Sequence, residues 1–188
     1  MAKMTQIPAP QDRGEDHWVF GYGSLMWRPG FDYVERQAGH VHGFHRSLCV
    51  YSHIYRGTPE RPGLVMGLDR GGSCFGVAFR VAPEKRQAVR SYLRERELVT
   101  DVYREALMPA RLTDGRVVAA LAYVADRSHP QYAGRLSRER LLALVRQGHG
   151  HAGSNADYVR STYGHLRELG FDDSLLGWLA AQLIQAGG

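Results

Sequence analysis

The hydrophobic pattern changes near Ser137, and this change constrains the fold more than any other feature of the sequence. Before Ser137, short apolar runs alternate with turn residues, as in strands; after it, apolar residues recur at helical spacing. One helix interrupts the strands, because Pro83 and Glu84 are typical of a helix start and the pattern continues to about Leu98. Strands followed by helices predict one α+β domain with a mostly antiparallel sheet or a small barrel.

Turn residues divide the first part of the chain into predicted strands. The segment DRGGS, which separates two strand-like runs, predicts a hairpin of its own. Asp114-Gly115 is the strongest short hairpin signal in the chain. The predicted strands are Trp18–Tyr22, one or two within Gln37–Ser52, Leu64–Leu68, Cys74–Val81, Tyr103–Leu112 and Arg116–Val124.

Three helices are predicted after the change of period. Ser137 precedes the first, which ends near Gly148, and Ser154 precedes the second, which ends at Gly170. The third covers Leu175 to Ile184. No repeat or low-complexity linker interrupts this order, so residues 17–188 are expected to form one domain.

Composition favours an ordinary globular protein, with 44% apolar and 23% charged residues. The polar, proline-containing residues 1–16 predict a flexible tail without the apolar stretch of a signal peptide. Cys49 and Cys74 are the only cysteines, form no C-x-x-C pair and fall within predicted strands, where a buried thiol is the ordinary interpretation. We therefore expect a cytoplasmic protein that does not span a membrane.

The charge pattern argues against nucleic acid as a partner. The chain has 24 basic and 19 acidic residues, for a net charge of +5, but the arginines are spread along it without a basic block. Most of them are expected to be solvated surface residues. Some could attract a small anionic substrate.

The segment Phe20-Gly21-Tyr22-Gly23-Ser24-Leu25 runs from a strand directly into a glycine-rich turn. Such a turn lets backbone N–H groups converge on an anion. It lacks the third glycine and the following helix of a dinucleotide site, so a nucleotide ligand is disfavoured. A plain tight turn has the same residues, and spacing alone does not separate the two interpretations.

A carboxylate is aimed inward at the end of the first helix. At about 100° per residue, Val89, Tyr92, Leu93 and Arg96 form a face centred on apolar residues, and Glu97 flanks it. Glu95 points to the opposite side. An inward carboxylate near an anion-binding turn suits acid/base chemistry on a carbonyl, although a residue in this position is also commonly a salt-bridged helix side chain.

Metal binding and catalysis by a serine nucleophile have less support in the sequence. The pairs His40/His42 and His149/His151 lack a third ligand at a supporting interval, so no metal is expected. Ser24 lies in no G-x-S-x-G motif and has no identifiable histidine partner, so it is not expected to be a nucleophile.

The segment from Val19 to Trp27 (VFGYGSLMW) resembles the opening signature of the ChaC family of glutathione-specific γ-glutamylcyclotransferases. Further similar segments follow in family order over about Trp18 to Tyr163: YSHIYRGT, RPG, GVAFR, YLRERE and GSNADY. Each segment alone is weak, but together they are specific. One departure is LVTD after Glu97, where many eukaryotic members have a glycine-rich turn; this stretch is more similar to bacterial members.

The resemblance implies a γ-glutamylcyclotransferase-like fold, a small mixed β-barrel with flanking helices. It implies an enzyme that converts glutathione to 5-oxoproline and Cys-Gly without a metal or cofactor, with Glu97 as the catalytic carboxylate. The residues expected to contact substrate are Val19, Phe20, Gly21, Tyr22, Gly23, Ser24, Leu25, Arg56, Arg61 and Tyr158.

The arginines Arg56 and Arg61 have two interpretations. Their planar guanidinium groups suit pairing with the glycine carboxylate of glutathione. They could equally brace a loop rich in proline and glycine. Two other functions also stay open: a cyclotransferase for other γ-glutamyl amino acids or amines, and a non-catalytic regulatory domain. The sequence does not indicate the oligomeric state.

Overall fold

The computed structural model describes residues 17–184, and its order of elements follows the change of hydrophobic period. The predicted tail, residues 1–16, and residues 185–188 lie outside the described part of the chain. The elements are β1 (His17–Gly21), β2 (Glu35–Ser52), β3 (Gly63–Val81), α1 (Arg86–Glu97), β4 (Tyr103–Leu112), β5 (Val117–Ala125), α2 (Arg138–Gln147), β6 (His149–Gly150), β7 (Gly153–Ser154), α3 (Asn155–Glu168) and α4 (Ser174–Ile184), with short 3₁₀ turns at Ser24–Met26 and Pro83–Lys85.

The five longer strands form a closed barrel in the order β1-β3-β2-β4-β5. Neighbouring pairs are antiparallel except where β1 meets β5, with Trp18 opposite Ala120 and Val19 opposite Leu121. This parallel pair closes the barrel. The predicted α+β fold with a small barrel is therefore confirmed.

The hairpin predicted around DRGGS is wrong, because β3 runs through this segment and pairs with β2 on both sides of it. The ladder between β2 and β3 shifts register there. Gly43 on β2 lies opposite two residues on β3, Gly71 and Gly72, and all three have positive φ angles (84°, 99° and 71°). The glycines form a β-bulge in a long hairpin rather than a turn.

The helix boundaries agree with the predicted capping residues. Ser137 Oγ accepts a hydrogen bond from the backbone N–H of Arg140 (3.2 Å), and Ser154 Oγ accepts one from Asp157 (3.0 Å). The hairpin at Asp114-Gly115 is also confirmed, since β4 and β5 pair antiparallel on either side of it. No helix within residues 17–184 is long and apolar enough to cross a membrane.

Successive side chains of β1 pack against different helices on the barrel. Phe20 packs into the main core together with α2, α3 and α4, whereas Val19 packs into a second cluster with Val89 and Leu93 of α1. Both β1 side chains are fully buried. The C-terminal end of α1 and the first turns of α3 consequently reach the end of β1, where the glycine-rich turn begins.

Four glycines interlock the loop after β2 with the turn between α2 and α3. A Cβ atom on Gly148 would lie 2.5 Å from the Arg56 carbonyl oxygen and 2.7 Å from Gly63 Cα, and one on Gly150 would lie 2.7 Å from the Gly57 nitrogen. A Cβ atom on Gly63 would overlap the Arg56 carbonyl oxygen and would lie 2.8 Å from Asn155 Oδ1. We call these four residues, Gly57, Gly63, Gly148 and Gly150, the glycine interlock.

We expect Gly63→Ala to lower the free energy of unfolding by about 3 kcal/mol or more, since backbone on both sides of the interlock must move. Gly164 is the matched control, because it lies in α3 and a methyl group added to it would have no neighbouring atom within 4 Å. Gly164→Ala should stabilise the protein by about 0.5–1 kcal/mol. Urea unfolding of the two variants measures the difference, and similar stabilities would contradict it.

Candidate active site

A cavity of about 700 Å³ opens where the glycine-rich turn, the loop after β2, the end of α1 and the start of α3 meet. Its volume lies in the range of small-molecule sites. The structure brings seven of the predicted site residues to its wall: Tyr22, Gly23, Ser24, Leu25, Arg56, Glu97 and Tyr158.

The other four predicted residues do not line this cavity. Val19 and Phe20 have no exposed surface and belong to the core. Gly21 supports the turn instead, because a Cβ atom there would lie 3.0 Å from Leu25 Cβ. Arg61 lies exposed in the loop after β2, where its backbone N–H donates to Thr58.

The glycine-rich turn leaves β1 and forms one turn of 3₁₀ helix. The backbone N–H of Met26 donates to Gly23 O (2.9 Å), and that of Arg28 donates to Ser24 O (2.8 Å). From β2, Arg46 Nε donates to Tyr22 O at 2.6 Å. The turn is therefore fixed by its own hydrogen bonds and by a strand that packs beside it.

Glu97 is the last residue of α1 and faces the cavity, as the helical pattern predicts. The buried residues of the helix are Val89 and Leu93, while Glu95 is exposed. The Glu97 side chain is 19% exposed and its Oε1 lies 3.2 Å from Arg96 Nε. Burial raises the pKa of Glu97 above the ordinary value and outweighs the opposing charge of Arg96.

Arg96 joins the end of α1 to the glycine-rich turn. Its Nη1 donates to the backbone oxygens of Arg28 (2.7 Å) and Pro29 (3.1 Å), and its Nη2 donates to Ser24 Oγ (2.9 Å). One guanidinium group thus positions the turn beside Glu97. The sequence assigned Arg96 no role, although an arginine on an inward helix face indicates that it needs buried partners.

Tyrosine side chains surround the carboxylate. Burial, and then the charge of Glu97, raise the pKa of Tyr22. Burial is also the main cause that raises the pKa of Tyr158 to about 12, and Glu97 contributes to that rise and to the raised pKa of Tyr103. These phenols therefore stay protonated around neutral pH.

Two of these phenols form hydrogen bonds with the backbone of Met66 on β3, one with its carbonyl oxygen and one with its N–H group. Tyr103 Oη donates to Met66 O (2.7 Å), and Tyr158 Oη accepts from the Met66 N–H (3.1 Å). Two residues away, Asn155 Oδ1 accepts from the Leu64 N–H and Asn155 Nδ2 donates to Leu64 O, both at 2.7 Å. Side chains of α3 and β4 thereby satisfy the edge of β3 that borders the cavity.

Arg56 braces the cavity rim. Its Nη1 donates to the backbone oxygens of Ala152 (2.6 Å) and Ser154 (3.2 Å), and its guanidinium group lies 5.3 Å from the centre of the Tyr158 ring. These contacts favour the bracing interpretation of this arginine over carboxylate recognition.

The described part of the chain, residues 17–184, contains no group of three or more His, Cys, Asp or Glu side chains arranged to hold a metal ion. His40 and His42 contact each other edge to face, with ring centres 4.7 Å apart. Both cysteines are buried, and burial raises the pKa of Cys49 to about 12, so this thiol is not poised as a nucleophile.

Known proteins resemble this chain over most of its length. It is 35% identical over 156 residues to the glutathione-specific gamma-glutamylcyclotransferase of Escherichia coli (strain K12), a match that covers 83% of this chain and 68% of the relative. It is 33% identical over 159 residues to glutathione-specific gamma-glutamylcyclotransferase 1 of Homo sapiens, which covers 82% and 72% of the two chains.

The fold has a solved counterpart in the crystal structure of a gamma-glutamyl cyclotransferase specific to glutathione from yeast. That likeness has a TM-score of 0.82 at 22% identity and covers 91% of this chain and 96% of the yeast chain. At that identity it shows the fold alone. Residues 17–184 match the family described as ChaC-like protein. With the family signature intact in the sequence and the match spanning every described element, this chain belongs to the ChaC-like protein family.

Proposed function

We propose that this protein is a γ-glutamylcyclotransferase that cleaves glutathione to 5-oxoproline and Cys-Gly. The observation that carries the proposal is Glu97, a partly buried carboxylate with a raised pKa that faces a small-molecule cavity beside the glycine-rich turn. The names of the E. coli and human relatives support glutathione as the substrate.

The substrate supplies its own nucleophile, the α-amine of the γ-glutamyl group. Attack of this nitrogen on the γ-carbonyl carbon closes a five-membered ring, so the enzyme mainly selects a reactive conformation. Free α-amines titrate near pH 8 and are mostly protonated at neutral pH. In the proposed mechanism the amine loses its first proton to solvent, and Glu97 takes the second as the nitrogen attacks.

Water is not a reactant in this cleavage. A nitrogen–carbon bond forms to give a tetrahedral intermediate, and its collapse breaks the bond to the cysteinyl nitrogen. Glu97 then returns the proton to that leaving nitrogen, so the carboxylate is regenerated. Backbone N–H groups of the turn at Gly23 to Leu25 would hold the substrate's anionic groups.

Incubation with glutathione and detection of 5-oxoproline and Cys-Gly by mass spectrometry tests the proposal. Parallel reactions with γ-glutamyl-alanine and γ-glutamyl-lysine test the alternative specificity, and release of no 5-oxoproline from any of them would favour a binding domain. Activity should persist in EDTA. A loss that one particular metal restores would revive a metal site at the histidine pairs.

A comparison of two substrates tests whether Arg56 braces the cavity rim or binds the glycine carboxylate of glutathione. Because its guanidinium group is hydrogen-bonded to the rim, we expect Arg56→Ala to lower kcat/KM equally on glutathione and γ-glutamyl-alanine. An arginine that paired with the glycine carboxylate would instead lose about 1.5–3 kcal/mol on glutathione alone. Arg61→Ala, in the same loop but off the cavity wall, is the matched comparison and should have the smaller effect.

A further inference from the structure

The charge of Glu97 helps to raise the pKa of four tyrosines, Tyr22, Tyr103, Tyr123 and Tyr158, whose hydroxyl groups differ in where their protons go. Tyr22 Oη donates to Tyr123 O (2.7 Å), Tyr103 Oη donates to Met66 O (2.7 Å), and Tyr123 Oη donates to Glu105 Oε1 (3.2 Å). A phenol has one proton to donate. These three are therefore committed to protein acceptors.

Tyr158 has the opposite arrangement. Its oxygen accepts the Met66 N–H at 3.1 Å, which fixes the oxygen and leaves the phenol proton to be donated elsewhere. The neighbouring hydroxyl one turn along α3, Thr162 Oγ1, is buried without a hydrogen-bond partner of good geometry in the described residues, yet it lies near enough to lower the pKa of Tyr158. Both side chains line the same cavity as Glu97.

We infer that Tyr158 is a catalytic residue that donates its hydroxyl hydrogen bond to the γ-carbonyl oxygen as negative charge develops on it. This inference rests on the proposed function and assigns the oxyanion to a side chain, which leaves the backbone amides of the turn for the substrate's α-carboxylate. Tyr158 keeps its proton throughout, and the proton that moves is the one that Glu97 carries.

The surroundings of Tyr158 suit a donor that must not ionise. Its pKa of about 12 keeps the phenol protonated around neutral pH. The Arg56 guanidinium group over its ring draws the pKa in the opposite direction from burial, which strengthens the phenol as a donor. Because a strand amide holds the oxygen, the donor needs no reorganisation during the reaction.

Tyr158→Phe removes the hydroxyl group and keeps the ring. Loss of one oxyanion donor typically lowers kcat about 10²- to 10³-fold, and we expect a loss of this size with glutathione. The KM and the shape of the pH profile should change little, because Glu97 still titrates. Tyr103→Phe is the matched control: it deletes a hydroxyl group that bonds the backbone of the same residue, Met66, and it should retain far more of kcat.

Binding without turnover provides the second measurement. Isothermal titration of glutathione into Glu97→Gln and into Glu97→Gln/Tyr158→Phe should give similar Kd values, since the oxyanion is absent from the ground state. A much weaker Kd in the double variant would assign Tyr158 to the substrate's carboxylate and overturn the inference. An equal loss of kcat in Thr162→Val and Tyr158→Phe would also overturn it, because the two hydroxyl groups would then act as a pair.

The failures of the two proposals are distinguishable. If wild-type protein releases no 5-oxoproline from glutathione, the proposed function is wrong. If wild-type protein does so and Tyr158→Phe retains its kcat, the cyclotransferase stands and only the role of Tyr158 is wrong.

Discussion

Glu97→Gln should lower kcat for glutathione cleavage by about 10²- to 10⁴-fold, the contribution usual for a positioned general acid/base. The amide keeps the size of the side chain but cannot take the proton of the substrate amine. Steady-state kinetics with 5-oxoproline as the measured product gives the value. Glu95→Gln, two residues earlier on the exposed side of α1, should retain most of the activity. Activity near wild type in Glu97→Gln would rule out the acid/base assignment.

The pH dependence gives an independent check on Glu97. Its pKa is raised in the folded protein, and the base must be ionised, so activity should fall as the pH drops through this raised pKa. The acid limb of kcat/KM, which reports the free enzyme, is therefore expected at a higher pH than an exposed glutamate would give. An acid limb at the ordinary pKa would contradict burial of the carboxylate.

Stability provides the fold control for the same variant. A folded-state pKa above the unfolded value means that the folded protein binds the extra proton, so stability falls as the pH rises between the two values. At neutral pH the ionised Glu97 therefore lowers stability. Glu97→Gln should unfold at the same temperature as wild type or higher, which separates lost chemistry from lost structure.

N-acetyl-glutathione should resist cleavage entirely, because acetylation removes the lone pair that attacks the γ-carbonyl. The α-linked peptide Glu-Cys-Gly should also be inert, since its amine cannot close a five-membered ring on the scissile carbonyl. Mass spectrometry over long incubations sets the limit of detection for 5-oxoproline and for N-acetyl-glutamate.

A matched control separates the missing nucleophile from the added bulk of the acetyl group. Desamino-glutathione lacks the amine without enlarging the substrate, and it should be equally inert. Release of N-acetyl-glutamate from the acetylated substrate would identify water as the nucleophile and would contradict the intramolecular mechanism.

Local signals in the sequence predicted much of the fold and the position of Glu97. Ser137 and Ser154 cap helices, and Asp114-Gly115 turns a hairpin, because each acts on its own backbone within a few residues. The inward orientation of Glu97 follows from helical periodicity alone. Such features need no knowledge of distant parts of the chain.

The features that could not be predicted from the sequence depend on contacts between distant segments. Gly71 and Gly72 resemble a turn locally, but pairing of β3 with β2 on both sides makes them a bulge. The partners of Arg96 lie on the glycine-rich turn, and the phenols of Tyr103 and Tyr158 meet at Met66 from two other elements. No periodic pattern records such pairings, although buried polar side chains indicate that partners exist.

The parallel pair between β1 and β5 has a consequence for the order of folding. Strand β1 has two neighbours in the barrel, and one of them is β5. Because β5 is the last of the five barrel strands in the chain, this pair cannot form until β5 has been synthesised. Contacts so distant in sequence form slowly, because a long loop must close first. Until then β1 and β5 each present an unpaired strand edge, the kind of surface that pairs with other chains. Aggregation during refolding should therefore depend on protein concentration until the barrel closes, and deletion of residues 17–21 should make that vulnerability permanent.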